Sequence, residues 1–299
     1  MVDGGCHVEE ETLAAIFLDE LEGAAGDPLL VVDVQLIIVE LLEVGVVEAV
    51  DIVETQPAHV LADDAVVVLS DGTNTDTLTK ICTDDLPPGL EDVAAGIFGI
   101  PAAQLSSLHL CAYISLNMVG EVGKTYTLQI LHNGKTYTSS SRIAEPVALD
   151  SLYWKPEGNF SDRGFSWAKL SDPANTTDAY CWEVKYSSEA TYSKTFNPFF
   201  NDKFFNGLTF EFGYENPMSF QDTTANNPYR GFYKLGDTVV VKLSKIGQKE
   251  FNYFEKKYNQ MYSGGSPFAV PTNVPTNISG GALGIWAAYS PWIDTLICQ

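Results

Sequence analysis

The sequence predicts an all-β protein made of two β-sandwich-like domains, the second of which also carries one amphipathic helix. Short segments in which apolar and polar residues alternate with period two recur along the chain, separated by turns rich in Gly, Asn and Asp. Aromatic residues are unevenly distributed, since five of them precede position 150 and 30 follow it. Because the two halves differ so strongly in ring content, we expect them to form separate domains.

Two hairpins characterise the first domain. Residues 65–79 form a strand pattern, a polar turn at Asp71-Gly72 and a returning strand. Residues 123–138 alternate in the same way about Asn133-Gly134, a strong short-range hairpin signal. Upstream, residues 29–53 are rich in Val, Leu and Ile and predict one or two strands, although a helix also fits. The short spacing of strands and turns favours an immunoglobulin-like or fibronectin-like sandwich.

The second domain combines further strands with a helix. Four segments alternate with period two: 147–154, 180–186, 208–214 and 237–244. From Gln248 to Tyr262, apolar side chains instead recur every three or four positions, which predicts an amphipathic helix that ends before Gly264-Gly265. Its apolar stripe consists of Phe251, Phe254, Tyr258 and Met261. We expect this stripe to cap an open end of the sheet.

These patterns divide the chain into three parts. Residues 1–28 are an N-terminal anchor or tether, and residues 29–146 are the sandwich. Residues 147–299 are the aromatic-rich antiparallel β-domain, with its helix near 248–262. A length of 299 residues agrees with about two domains of roughly 100 to 200 residues each.

The charge distribution excludes nucleic acid as a partner. The formal net charge is -22, no Lys or Arg precedes Lys80, and only Lys80 precedes Lys124. Binding to a phosphate backbone depends on clustered basic residues, which this chain lacks. One interpretation of the acidic N-terminal part is an outward-facing surface that attracts cations or basic partners. No apolar run reaches the roughly 18 residues of a membrane-spanning helix.

The cysteines leave two interpretations open. The chain has five cysteines, with no CxxC pair and no Cys/His spacing typical of zinc. Pairing Cys82 with Cys111 and Cys181 with Cys298 would keep each disulfide inside one domain, as expected in an oxidising compartment. Buried free thiols are the other interpretation.

Polar motifs give little sign of a metal, cofactor or nucleotide. Asp71, Asn74 and Asp76 offer oxygen ligands but lack EF-hand spacing, so a hairpin turn is favoured. Lys124 lies in a Gly-Lys-Thr sequence that recurs in phosphate-binding loops, but Met118 stands where such a loop needs its first glycine. We predict no metal and no cofactor.

Catalytic motifs are also weak. The four histidines all precede residue 150, and no nucleophile elbow is present. Glu183, Glu211, Glu215 and Asp237 could supply the carboxylate pair of a glycoside hydrolase, but sequence spacing does not define their separation. We therefore expect a protein that is not an enzyme, and a hydrolase is a less favoured alternative.

A dense group of rings is the main candidate for a binding surface. Seven phenylalanines lie between positions 196 and 212, with asparagines among them. Aromatic residues dominate both cores and interfaces, so a core interpretation is favoured about two to one. For the exposed share we predict partner or ligand binding by Phe199, Phe200, Phe204 and Phe205.

The C-terminal loop carries a recognisable signature. Between residues 263 and 289, prolines and glycines imply a fixed, unusual backbone path that feeds a final strand. The signature residues are Asn277, Gly280, Gly281 and Gly284. This loop resembles the closing signature of the Bacteroidetes outer-membrane lipoproteins of domain of unknown function 4249. Two further motifs upstream resemble those of the family and occur in the same order, namely Asp-Pro-Ala at Asp172 and Phe205-Asn-Gly207.

The resemblance implies a location and a role. It implies lipidation at Cys6, which follows Gly4-Gly5, and hence a lipid-anchored protein at the cell surface of the outer membrane. It also implies an accessory or assembly subunit of a larger machine of the TonB-dependent transporter type. The expected partners are an outer-membrane β-barrel protein or other lipoproteins. The alternative is a surface lipoprotein that binds glycans or peptides for nutrient capture.

Overall fold

The computed structural model confirms a mainly β chain with several antiparallel sheets. It describes residues 10–22, 28–40, 60–61, 65–86, 91, 94–95, 102–105, 111–115, 117–189, 192–220, 227–263 and 273–299. The chain divides into two compact units. The first unit comprises Met1–Ile143 and Thr276–Tyr289, and the second comprises Ala144–Pro275 and Ser290–Gln299. The sequence predicts one crossing near residue 146, whereas the chain passes between the units three times.

The elements are as follows. The first nine strands are β1 (Glu10–Glu22), β2 (Pro28–Glu40), β3 (Val60–Leu61), β4 (Val66–Ser70), β5 (Thr75–Thr77), β6 (Thr79–Cys82), β7 (Cys111–Ile114), β8 (Thr125–His132) and β9 (Lys135–Arg142). The other strands are β10 (Ser151–Pro156), β11 (Arg163–Ser171), β12 (Ala179–Tyr186), β13 (Ser193–Asn201), β14 (Thr209–Tyr214), β15 (Tyr233–Lys234), β16 (Thr238–Ile246), β17 (Leu283–Ala288) and β18 (Ser290–Ile297). The α-helices are α1 (Ala102–Leu105) and α2 (Gln248–Ser263). Short 3-10 helices span Thr83–Asp85, Asp202–Phe204 and Pro217–Phe220.

The first unit contains two sheets around a common core. One has the order β17-β2-β1-β7-β6, with β3 paired to β1, and the other has the order β5-β4-β8-β9. Strand β17 runs parallel to β2, and the other pairings are antiparallel. The core residues contributed by β4, β7, β8 and β17 include Val67, Leu69, Tyr113, Tyr126, Leu128, Ile130, Trp286 and Ala288.

The β8–β9 hairpin follows directly from its sequence. Asn133 and Gly134 both have positive φ, at 48° and 71°, which a two-residue turn of type I′ requires. Along β8 every second residue is buried, which places Tyr126, Leu128 and Ile130 on the core face. The predicted hairpin is therefore confirmed, as is the β4–β5 hairpin upstream.

The signature residues of the C-terminal loop belong to this first unit. The Asn277 side-chain amide donates to the Trp286 carbonyl and its oxygen accepts from the Trp286 N–H, both at 2.8 Å. The indole of Trp286 is fully buried and donates to the Tyr126 carbonyl at 3.0 Å. At Gly280, φ is +97° and an added Cβ would lie 2.6 Å from the Thr136 carbonyl oxygen. The motif thus fixes β17 against the β8–β9 hairpin.

The second unit is also built from two sheets. Strand β11 lies between β10 and β14 and also pairs with β15, and the second sheet has the order β13-β12-β16-β18. Trp154, Ala168 and Leu170 from the first sheet share a core with residues of the second. Those residues include Tyr180, Trp182, Val184, Val239, Val241 and Leu243. Burying these large apolar side chains supplies the main favourable free energy of this unit.

Helix α2 has the predicted bounds to within one residue. Phe251 and Phe254 are buried, Tyr258 is half-buried, and the side chain of Met261 lies outside the described residues. Phe254 stacks on Phe199 of β13 with ring centroids 4.7 Å apart. Phe199 lies opposite Cys181 in the pairing of β13 with β12. The residues on either side of Cys181, Tyr180 and Trp182, point into the core, so Cys181 and Phe199 point away from it. The helix therefore covers the outer face of this sheet, not its open end.

The cysteines divide between the units. Cys82 and Cys111 form a disulfide between β6 and β7, as the first predicted pair requires. Cys181 and Cys298 are both buried and are not bonded to each other, so the second predicted bridge is not formed. Cys298 lies in the core of the second unit, whereas Cys181 lies between Tyr180 and Trp182, which point into that core, so the two thiols face opposite sides of the sheet. Burial raises the pKa of the Cys298 thiol to about 12.

Candidate functional site

The candidate site is the loop that joins β13 to β14, residues 202–208, which we name the aromatic loop. It begins with a 3-10 turn in which the Asp202 carbonyl accepts the N–H groups of Phe205 and Asn206, both at 2.8 Å. At its other end, the Leu208 N–H donates to the Phe205 carbonyl, also at 2.8 Å. Three of its N–H groups therefore have partners inside the loop, which favours a defined conformation.

A second loop, residues 172–178, holds the aromatic loop in place. The Asp172 N–H donates to the Leu208 carbonyl at 3.1 Å, and the Asp172 carboxylate accepts the Gly207 N–H at 3.2 Å. Gly207 has φ +70°, and an added Cβ would lie 2.7 Å from the Cβ of Ala174. The close approach explains why glycine stands here, and it brings together the Asp-Pro-Ala and Phe-Asn-Gly motifs that are separate in sequence.

Three buried carboxylates lie under these loops. Asp172, Asp178 and Asp202 each offer an oxygen, and these oxygens lie within 4.8 Å of one another. The Asp202 carboxylate accepts the Asp178 N–H at 2.7 Å, and Asp172 accepts the Tyr180 hydroxyl at 2.7 Å. Lys245 forms an ion pair with Asp178 at 2.9 Å and balances part of the negative charge.

The buried environment shifts the pKa of Asp172 and of the tyrosine hydrogen-bonded to it. Burial raises the pKa of Asp172, although hydrogen bonds from Tyr180 and the Gly207 N–H oppose that effect. Burial and the Asp172 carboxylate together raise the pKa of Tyr180. Three carboxylates at this spacing are chemically suited to a hard divalent cation. The contacts above account for them equally well as supports that fix the two loops together.

Of the four predicted binding residues, the structure places one at the surface. Phe204 is 86% exposed, whereas Phe205 is 7% exposed. Phe199 and Phe200 are half-buried, and Phe200 packs against Tyr180 with ring centroids 5.3 Å apart. Phe200 and Phe205 thus pack inside the unit, Phe199 packs against α2, and Phe204 extends into solvent.

Residues that sequence reasoning did not single out extend this surface. Leu208 is 60% exposed and Phe210, the second residue of β14, is 39% exposed. Phe210 stacks on Phe205 with centroids 4.7 Å apart. We call Phe204, Leu208 and Phe210 the apolar patch. The period-two alternation of residues 208–214 could have indicated Leu208 and Phe210. It does not show that β14, which begins directly after Leu208, lies at a sheet edge.

The candidate acid and base groups are each engaged separately. Glu211 accepts the Tyr153 hydroxyl, Glu215 accepts the Phe196 N–H at 2.7 Å, and Asp237 accepts the Lys234 N–H at 2.8 Å. Glu183 is buried and forms ion pairs with Lys242 at 2.9 Å and Lys194 at 3.6 Å.

The two ion pairs of Glu183 control its pKa. Burial by itself would raise its pKa, but the charges of Lys242 and Lys194 outweigh that effect and lower it. A general acid for glycoside hydrolysis needs a raised pKa, so this carboxylate has the wrong electrostatics for that role.

The polar groups of the first unit form a turn, as the sequence favoured. Asp71 accepts the N–H groups of Thr73 and Asn74 at 2.8 and 2.6 Å, and Lys124 approaches it at 3.4 Å. The hydrogen bonds from Asn74 and Thr73 lower the pKa of Asp71 to about 2. Asp76 instead accepts hydrogen bonds from Ser115 and Asn117. Cys6, the expected lipidation site, lies outside the described residues.

These features define a mainly β protein of two units, the second of which presents an apolar patch on a fixed surface loop. The chain belongs to the family described as a domain of unknown function (DUF4249), whose model matches residues 17–291. Comparison with curated proteins and with solved structures found no match. Within the described residues, no helix has both the length and the apolar character needed to cross a bilayer.

Proposed function

We propose that this protein is a non-enzymatic lipoprotein of the Bacteroidetes cell surface, an accessory or assembly subunit of an outer-membrane complex. Its partner is a β-barrel protein of the TonB-dependent transporter type or another lipoprotein of the same machine. A lipid on Cys6 holds the chain at the membrane. The second unit binds the partner through the apolar patch.

The observation that carries this proposal is the exposure of Phe204 on a fixed loop. Phe204 is 86% exposed, so burial of its ring contributes little to the fold, and Lys203 lies 5.5 Å from the ring centroid. The neighbouring Asp172 and Gly207 contacts nevertheless hold the backbone that carries it. A ring held in advance loses little conformational entropy on binding, which is typical of an interface anchor.

The disulfide supports a location outside the cytoplasm. Cys82 and Cys111 are joined across neighbouring strands, and disulfides persist in oxidising compartments. The acidic composition, with a net charge of -22, agrees with a soluble body that faces water beside the membrane. These two features favour a surface lipoprotein over a cytoplasmic protein.

A matched pair of variants tests the role of the patch. Phe204→Ser removes the exposed ring, and Phe160→Ser removes another exposed ring, one that is 49% exposed and lies against Arg163. Each tagged protein is purified from native membranes in mild detergent, and the recovered β-barrel protein is quantified. We expect the wild type and Phe160→Ser to recover the same partner, and Phe204→Ser to lose about tenfold or more.

Two results would contradict the proposal. Purification of the wild type as a lone monomer would remove the assembly role. Equal partner recovery with all three proteins would remove the patch from the interface. Circular dichroism and melting temperature of the variants exclude misfolding as the cause, since exposed substitutions change stability by only about 0.5 kcal/mol.

A second surface favours the alternative function, glycan or peptide capture. Trp167 is half-exposed on β11 and lies over Gly213, where an added Cβ would be 2.8 Å from the ring. Tyr153 pairs with Trp167 across the strands, and Lys155 lies 4.6 Å from the Trp167 ring centroid. Exposed rings beside charged hydrogen-bonding groups suit stacking on a sugar. Binding on a glycan array that Trp167→Ala abolishes would favour this function over assembly.

A further inference from the structure

We propose that β14 accepts an extended segment of another polypeptide as an additional strand, beside the apolar patch. The inference rests on the proposed function in one respect, because the added segment belongs to the partner that Phe204 contacts. It adds a specific mode of recognition, through backbone hydrogen bonds along the strand edge and not through side chains alone.

Strand β14 lies at the edge of its sheet. Within the described part of the chain it pairs with β11 and with no other strand. Thr209, Phe210, Glu211 and Gly213 are exposed. A strand paired on one side carries alternate N–H and C=O groups along its other side, and these groups form a template for a further strand.

Three other edge strands of this unit, β10, β13 and β18, carry features that disfavour pairing more strongly than the single charge of Glu211 in β14 does. Strand β10 ends in Lys155-Pro156, and β18 contains Pro291 and Asp294. Strand β13 contains Pro198, pairs irregularly with β12 and is covered by α2. Strand β14 reads Thr-Phe-Glu-Phe-Gly-Tyr, without Lys, Arg or Pro, and pairs with β11 in unbroken register. Lysine, proline, irregular pairing and cover are the common protections of sheet edges.

The open edge is continuous with the apolar patch. Leu208 directly precedes β14, and Phe210 lies in its first half, so both flank the backbone that an added strand would pair with. Side chains of an added strand would lie directly opposite those of β14, about 4.5 to 5.5 Å away between Cβ atoms. One face of that strand therefore contacts Phe210 and the other contacts Glu211.

Charge decides between a second copy of this chain and a different polypeptide. Glu211 is the one charged residue of β14, and it would face a like charge in an antiparallel pair of two copies centred there. The occupant that fits is a segment of another protein, with alternating apolar residues and a basic residue opposite Glu211.

A pair of threonine-to-lysine variants tests this mode of binding. Thr209 on β14 and Thr295 on β18 are both exposed threonines on edge strands. An edge lysine disfavours strand addition at its own edge. Using full-length protein purified from native membranes, we expect Thr209→Lys to reduce recovery of the β-barrel partner about tenfold, and Thr295→Lys to leave it unchanged.

Photo-cross-linking identifies what lies on the edge. A photoreactive residue at position 209 should form cross-links to one short segment of the partner, and the same residue at position 295 should not. Wild-type-like recovery with Thr209→Lys, or cross-links to a second copy of this chain, overturns strand addition and leaves the proposed function intact. Failure of the wild type to recover any partner overturns both.

Discussion

Closely packed glycines with positive φ occur in both the signature loop of the first unit and the aromatic loop of the second. The two loops differ in the exposure of their aromatic residue. Each contains a glycine with positive φ that lies close to neighbouring atoms, Gly280 near Thr136 and Gly207 near Ala174. In the signature loop these devices bury Trp286 completely, whereas in the aromatic loop they leave Phe204 exposed. A fixed loop that buries its aromatic residue serves the fold. A fixed loop that exposes one is the feature from which we propose partner binding.

The largest effect is expected in the signature loop. Gly280→Ala places a Cβ 2.6 Å from the Thr136 carbonyl oxygen within a hairpin that cannot shift easily, and φ is +97°. We expect a loss of about 3 to 4 kcal/mol in the free energy of unfolding of this unit.

Gly281→Ala is the control, because its φ of +93° carries similar strain but no atom lies within 4 Å. Urea unfolding followed by Trp fluorescence should show Gly281→Ala losing only about 1 to 2 kcal/mol. Equal losses would mean that the close approach at Gly280 contributes nothing.

A smaller effect is expected in the aromatic loop. Gly207→Ala meets the methyl group of Ala174 at 2.7 Å, and Ala174 is exposed, whereas Gly280→Ala meets a backbone carbonyl within a hairpin. We expect a loss of about 2 kcal/mol and faster hydrogen exchange at the loop amides, especially at Leu208. Gly236→Ala has φ +93° and no atom within 4 Å, so it controls for backbone strain in the same unit. If the Gly207→Ala loop exchanged like wild type while stability fell, the contact would not fix the loop.

Local structure was accessible from sequence because its causes are local. Asn133-Gly134 specifies its hairpin through the positive φ that these residues tolerate, and α2 follows from the three- and four-residue spacing of its apolar stripe. The turn at Asp71 was also predictable, since an Asp side chain commonly accepts the N–H groups that follow it.

Long-range structure was not accessible in the same way. No local pattern shows that β17 returns to pair in parallel with β2, because that pairing joins residues about 250 positions apart in sequence. Ring density near position 200 likewise could not separate Phe204 from Phe205, since adjacent residues of a turn do not follow strand alternation. The meeting of Asp172 and Gly207 also depends on tertiary contacts, although both motifs stood out in the sequence.

The smallest expected effect is a change of stability with pH, which should have opposite signs for Asp71 in the first unit and Asp172 in the second. The lowered pKa of Asp71, about 2, means that its contribution to stability is present above about pH 4 and is lost as pH falls towards 2. The raised pKa of Asp172 has the opposite sign, because the folded state holds the proton more tightly than the unfolded state. The contribution of Asp172 to stability is present at low pH and is lost as pH rises through the raised pKa.

Asp71→Asn and Asp172→Asn keep a side-chain oxygen acceptor and remove the titration. Measured from pH 2 to 7, the stability of wild type relative to Asp71→Asn should fall on acidification, and relative to Asp172→Asn it should rise. The same trend for both variants would show that burial does not control the Asp172 carboxyl.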